Sequence, residues 1–440
     1  MKPHRFIERL EQADFALAIG RLRRIGGEVL EADGPSAGIG DYCEIEGPAG
    51  QAPAIAEVVA VEPCGVRLTP VSRLPRLSLG ARVTRAPQAD DIAVGDGFGG
   101  RAIDGLGRPL DGRGAIWPDR RQPRAGRMLP SLDRVSPKEK LVTGICAIDA
   151  LLPLGKGQRV GIFAASGVGK TSLIEQIARQ TECERMVLCL VGERGREVDK
   201  LWRMLRDGAN PARSTLVAAT ADESAGLRLR AIEQAVGLAE YWRERGEHVL
   251  LVVDSVTRLA HALREIGLAA GQPPTIRGLT PNVFSALPRL VERCGAARGG
   301  GAITAIMTVL SETNDVDDPV VELMKSVLDG HIVLSRTLAE KRHFPAIDIS
   351  RSVSRLAGEL LDQDALELSR QAHRLIATFE EARPMIESGL YRAGSSAEID
   401  RAITVQPALD EFLRQGAAEP GGWNASVERL ARIVAGGSDA

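Results

Sequence analysis

The sequence predicts an α/β protein whose strand–helix core is preceded by a β-rich segment and followed by an all-helical one. Three observations carry that prediction. Between about residues 141 and 350, apolar runs that read as buried strands (Arg159–Phe163, Met186–Val191, Thr215–Ala219, His248–Val253, Ala302–Leu310 and His331–Ser335) alternate with helical patterns. Such alternation argues for a largely parallel sheet with helices on both faces. From about 24 to 87 the texture is short β-type runs (Glu44–Glu46, Ile55–Val61, Val66–Leu68 and Ala81–Thr84) closely punctuated by Gly and Pro. That pattern points to a small barrel or sandwich. After Arg355 the chain turns helical over Glu359–Phe379, Ala397–Leu413 and Ala425–Val434.

The expected organisation runs in four parts. Residues 1–23 hold an amphipathic helix, since Phe6, Ile7, Leu10, Ala13 and Leu17 recur at helical spacing among charged residues. Residues 24–90 form the β-barrel, 91–356 the α/β domain and 357–440 a third, helical domain. Within the α/β part, residues 95–140 read as a Gly/Pro/Arg-rich connector. Its Arg120, Arg121, Arg124, Arg127 and Arg134 are expected to form a solvated tether or, less simply, a contact for an acidic partner or neighbouring subunit.

Composition narrows the function classes. A chain of 440 residues is too long for one core and fits two or three domains. Its 56 Lys+Arg against 58 Asp+Glu leave a formal charge of −2, so no global field draws it to nucleic acid or an acidic membrane. No apolar stretch reaches the roughly 20 residues of a membrane span, and the N-terminal residues lack a secretory pattern. Six scattered cysteines and six dispersed histidines read as reduced thiols and structural imidazoles, not as a disulfide framework or zinc site. A cytoplasmic protein is expected.

The chemistry starts at Ala164–Thr171, where a strand-like run meets a helix-like one. A loop of small residues there (Ser166, Gly167, Val168, Gly169) turns its N–H groups around an anion, and the following helix, through Ser172, adds its positive end. Lys170 then reaches the β- and γ-phosphates, and the Thr171 hydroxyl can hold Mg²⁺. Ala164 stands where the outer glycine of the phosphate-loop pattern is expected; the inner glycines make the closest approach.

Further residues fit the same reaction. Leu250–Asp254 is a buried strand ending in a carboxylate, which Asp254 delivers to the ligand edge of the sheet to orient a magnesium-bound water. Glu193 follows another buried run, Met186–Val191, the strand after the phosphate-loop helix, and is the best candidate for aligning the attacking water. Either Arg194 or Arg196 is placed to support phosphate charge or to hold Glu193. From pattern alone Arg351 and Arg355 are ordinary surface arginines, and Phe344 is equally a core residue or a platform for adenine.

Several long stretches carry a resemblance: Gly161–Thr171, Val191–Val198, Leu251–Arg258, Arg264–Pro274, Leu328–Arg336 and Phe344–Arg355. Together they resemble the flagellar and type III protein-export ATPases and, more distantly, the β subunits of rotary ATP synthases. The resemblance spans about residues 24–415. It implies a RecA-like P-loop core with an N-terminal small β-barrel and a C-terminal α-helical domain, assembled as a homohexameric ring. It places the catalytic glutamate at Glu193, the arginine finger at Arg355 and the adenine-side aromatic at Phe344. Leu259 replaces the family's usual tyrosine. Implied partners are a stator-like regulator at the N-terminus, export chaperones and substrates, and an export gate, with the protein peripheral at the cytoplasmic face of the inner membrane. The rivals are a non-flagellar secretion ATPase and a non-catalytic nucleotide-binding subunit, against which Glu193 counts. A ring helicase on RNA is disfavoured, because residues 24–87 hold one Tyr and no Phe or Trp.

Overall fold

The computed structural model describes residues 18–311 and 318–436. Residues 1–17 of the proposed N-terminal helix (1–23) lie outside them, and its last residues, from Ile19, fall in a strand. Six strands close the N-terminal barrel: Ile19–Ile25, Leu30–Ala32, Tyr42–Ile45, Ala54–Glu62, Gly65–Pro70 and Arg82–Arg85. The first of these is a correction, since the barrel begins at Ile19 and not at residue 24. Its inward residues are only Gly20 and Leu22, while Arg21, Arg23 and Arg24 face outward. Gly20 is required where the barrel closes, because a Cβ there would lie 2.0 Å from the Gly34 carbonyl carbon. Leu22, Leu30, Ile45, Val58, Leu68 and Val83 fill the interior.

The central sheet runs, in spatial order, Ile347–Ser354, Gly330–Leu334, Arg159–Ala164, Ala302–Leu310, His248–Asp254, Arg185–Glu193, Ser214–Thr220 and Ala102–Ile103. All neighbours are parallel except the first pair. Every strand expected from the apolar runs is present, because a parallel strand covered on both faces must be apolar along its length. Helices Ala225–Arg243, Val256–Ala269 and Pro281–Glu292 cover one face. Helices Lys170–Gln180 and Gly195–Arg206 cover the other.

The C-terminal helices Gln363–Glu387, Ala397–Leu413 and Trp423–Val434 do not close a separate core. Their Leu375, Ile376, Leu409, Phe412, Leu430 and Ile433 join the cluster that contains Leu173, Ile174 and Ile177 of the P-loop helix. The connector also differs from a solvated tether. Ala102–Ile103 is the edge strand of the central sheet. Arg124 bonds Glu57 (2.7 Å) and the Gly40 carbonyl (2.9 Å) and lies over the Tyr42 ring, so it fastens barrel to core. Arg134 pairs with Glu292. A sequence does not show which carboxylates the fold will bring opposite such arginines.

Candidate active site

Strand Arg159–Ala164 hands over to helix Lys170–Gln180 through a loop with Gly167 at φ 80° and Gly169 at φ 93°. These positive angles suit glycine, since any Cβ would be strained. Gly169 precedes the helix without any side-chain cap, so the first-turn N–H groups stay available to an anion. Ser166, Gly167 and Ser172 are exposed or half-buried, Val168 is buried, and Lys170 and Thr171 are half-buried.

Three strands converge here. Lys170 Nζ pairs with Asp254, the last residue of His248–Asp254, and stands 3.5 Å from Glu193 Oε1 at the end of Arg185–Glu193. The Thr308 hydroxyl, from the neighbouring strand, donates to Asp254 Oδ1 at 2.6 Å. A parallel sheet places all these termini along one edge, which is the edge where such folds bind ligands. Glu193 is buried, and burial pushes its carboxyl above the ordinary value. Asp254 and Glu197 add to that shift, while Lys170 and Arg258 oppose it. The oxygens of Thr171, Asp254 and Glu193 are the hard donors that Mg²⁺ takes. Among the described residues no cluster of three or more His, Cys, Asp or Glu suits a metal held by protein alone.

Phe344 sits beside the loop. A Cβ on Gly169 would lie 3.1 Å from its ring, and the ring is partly exposed, which fits a wall of a pocket better than a core residue. Arg194 is exposed at the start of helix Gly195–Arg206, and Arg196 is exposed in its first turn; neither is brought against Glu193. The residue that does approach is Arg258. A Cβ on Gly192 would meet the Arg258 side chain at 3.1 Å, and the Arg258 Nε is buried with no hydrogen-bond partner among the described residues. The available signal is spacing, since four residues beyond Asp254 is one helical turn, back toward the same edge.

Arg355 lies elsewhere. Its backbone N–H bonds the Asp329 carbonyl at 3.2 Å, and its Nη2 donates to the Lys325 carbonyl at 3.0 Å. The Asp329 N–H in turn bonds the carbonyl of Arg159, the first residue of the P-loop strand. Arg355 is therefore at the opposite edge of the sheet, a strand length of roughly 17 Å from its own phosphate loop.

Two family models match: the ATP synthase alpha/beta family nucleotide-binding domain over residues 144–354, and the type III secretion EscN ATPase C-terminal domain over 361–432. The flagellum-specific ATP synthase of Bacillus subtilis is 40% identical over 437 residues, covering 99% of each chain. The type 3 secretion system ATPase of Xanthomonas euvesicatoria is 39% identical, covering 97% of each. The chain belongs to this family of flagellum-specific and type 3 secretion ATPases. Among solved structures, the assembled ATPase EscN of enteropathogenic E. coli superposes with a TM-score of 0.89 at 38% identity, over 94% of this chain and all of that one. The same ATPase in complex with its central stalk EscO gives 0.86. A RecA-like core with an N-terminal barrel and C-terminal helices is thus the family's fold, and this family member is a nucleotide-binding ATPase. Among its described residues no helix is long and apolar enough to cross a membrane.

Proposed function

We propose that this ATPase hydrolyses Mg-ATP at boundaries between identical subunits of a ring, and that the ring is homohexameric and energises flagellar protein export. One observation carries the reading: Lys170, Glu193 and Asp254 meet at one sheet edge while Arg355 lies at the other. A protomer so built holds one part of a site and presents the other part to a neighbour.

In the mechanism the loop N–H groups and Lys170 bind the triphosphate, whose charge competes with Asp254 and Glu193 for the ammonium. Glu193, released from Lys170, accepts a hydrogen bond from the attacking water and orients it along the line of the leaving phosphate. Arg258, one helical turn beyond Asp254, steadies Glu193 and phosphate charge in the place expected of Arg194. Thr171 and Asp254 are the residues that would hold Mg²⁺, which would supply charge neutralisation on the phosphate oxygens. Arg355 of the next subunit neutralises charge developing on the γ-phosphate. Phe344 packs against the base.

Hydrolysis would release export substrates from chaperones and feed them to a membrane gate, with a stator-like partner at the N-terminal helix and the protein at the cytoplasmic membrane face. The full-length likeness to flagellum-specific enzymes supports the flagellar assignment. Phosphate release per milligram should climb with protein concentration as subunits assemble; a flat curve at all concentrations would reject the shared site. Deleting the gene should abolish swimming, and retained filaments would move the assignment to non-flagellar secretion.

A further inference from the structure

Where the helical domain meets the phosphate loop, a short segment, Gln415–Gly422, threads between the P-loop helix, the Gly144 turn and the Phe344 hairpin. Its sequence after the glutamine, Gly416-Ala-Ala-Glu-Pro-Gly-Gly422, offers no large apolar side chain to hold it down. Polar contacts hold it instead. Gln415 is buried: its Oε1 accepts from Cys146 N at 2.9 Å, and its Nε2 donates to the carbonyls of Gly144 (2.7 Å) and Glu419 (3.0 Å). The first of these bonds satisfies an otherwise orphaned N–H at the start of helix Cys146–Leu151. Gln180, the last residue of the P-loop helix, donates to the Glu419 carbonyl at 3.0 Å. The fit is tight, since a Cβ on Gly421 would lie 2.1 Å from the Gly144 oxygen.

The consequence is at the backbone. The Gln415 N–H donates to the Phe344 carbonyl at 3.0 Å, and the Phe344 ring faces Gly169 of the phosphate loop. We propose that Gln415 is a positioning residue, whose anchored side chain fixes its own amide under Phe344 and so sets the wall against which the nucleotide base packs. The inference rests on Phe344 flanking the base. Only glutamine does this as built, because asparagine is too short and glutamate lacks the donors for the two carbonyls.

The test uses assembled full-length protein, with KM and kcat for ATP and the inhibition constant of inorganic tripolyphosphate, which carries no base. Phe344→Ala should raise the ATP KM about tenfold, as loss of base stacking requires. Gln415→Ala and Gln415→Glu should each raise it about three- to fivefold, with kcat and the tripolyphosphate constant unchanged. Gly421→Ala, which displaces the segment while leaving Gln415 intact, should do the same. In the Phe344→Ala background, Gln415→Ala should add little. An unchanged KM in Phe344→Ala overturns the base-wall reading itself. A raised KM there, with wild-type KM in all three segment variants, overturns the role of Gln415 alone. A parallel loss of ATP and tripolyphosphate binding in the segment variants overturns it too, leaving Gln415 a structural role only.

Discussion

The two edges of the central sheet differ in which of their cations find a carboxylate within the protomer. At the C-terminal edge, charged groups are buried against one another: Lys170 pairs with Asp254 and stands near Glu193, and Thr308 braces Asp254. At the N-terminal edge Arg355 and Arg351 are exposed, and the Arg355 side chain is tied to a backbone carbonyl. Carboxylates at that edge do answer other cations, Arg159 with Asp329 and Glu292 and Arg185 with Glu247, but among the described residues none pairs with Arg351 or Arg355. Exposed cations without a carboxylate partner are suited to an anion that the chain itself does not provide.

The largest expected effect tests whether the two edges belong to one reaction. Arg355→Ala should lower ATP turnover by about 10³-fold or more, in the range of an arginine finger, with nucleotide binding retained. Lys170→Ala should be equally inactive. Mixed together, the two dead proteins should recover activity, since about a quarter of the boundaries in a randomly assembled ring pair an intact pocket with an intact arginine. Mixed rings, verified by native mass spectrometry, that stay as inactive as their components would separate the edges again.

Glu193→Gln should cost about 10²–10⁴ in turnover, the usual range for a positioned acid–base group, while fluorescent ATP analogue binding persists. Equal phosphate release from variant and wild type would remove Glu193 from the chemistry. A third change sharpens the contrast by acting on neither edge. Arg124→Ala leaves Glu57 buried without its cation and should lower stability by about 3 kcal/mol in urea unfolding. Turnover of the remaining folded, assembled protein should not change.

The smallest effect separates the edges by pH. Burial raises Glu193 above the free value of 4.5, so the acidic fall in kcat/KM should set in at higher pH than for an ordinary carboxylate. At the other edge, burial first and Lys156 second lower His248 to about 4 from 6.5. The unfolded chain binds a proton in that window and the folded chain does not, so stability should fall as pH drops from about 6.5 to about 4. His248→Gln should flatten the stability slope and leave the kcat/KM profile in place. A profile that moves with His248 would mean the acid loss was unfolding all along.

Much of the fold and the site is legible in the order of the residues. Buried parallel strands announce themselves as apolar runs, and the strand–loop–helix junction at Ala164–Thr171 fixes Lys170, while strand ends fix Asp254 and Glu193. What stays hidden depends on partners distant along the chain. The strand Ile19–Ile25 is obscured because arginines occupy its outer face. Arg124 reads as solvated because nothing local reveals Glu57 across from it. Arg194, adjacent to Glu193 in sequence, points to solvent, whereas Arg258 arrives from another element and packs on Gly192. The separation of Arg355 from its own loop follows only from the sheet register.

The antiparallel pair Gly330–Leu334 and Ile347–Ser354 has Phe344 at its turn and Arg355 just past its foot. Under the proposed assembly this ribbon is a tie-rod spanning a protomer from side to side. Its turn rests on one triphosphate's base, while its foot reaches the γ-phosphate held next door. In such a ring, a tilt imposed at one end of the ribbon would be passed to the other through its paired backbone.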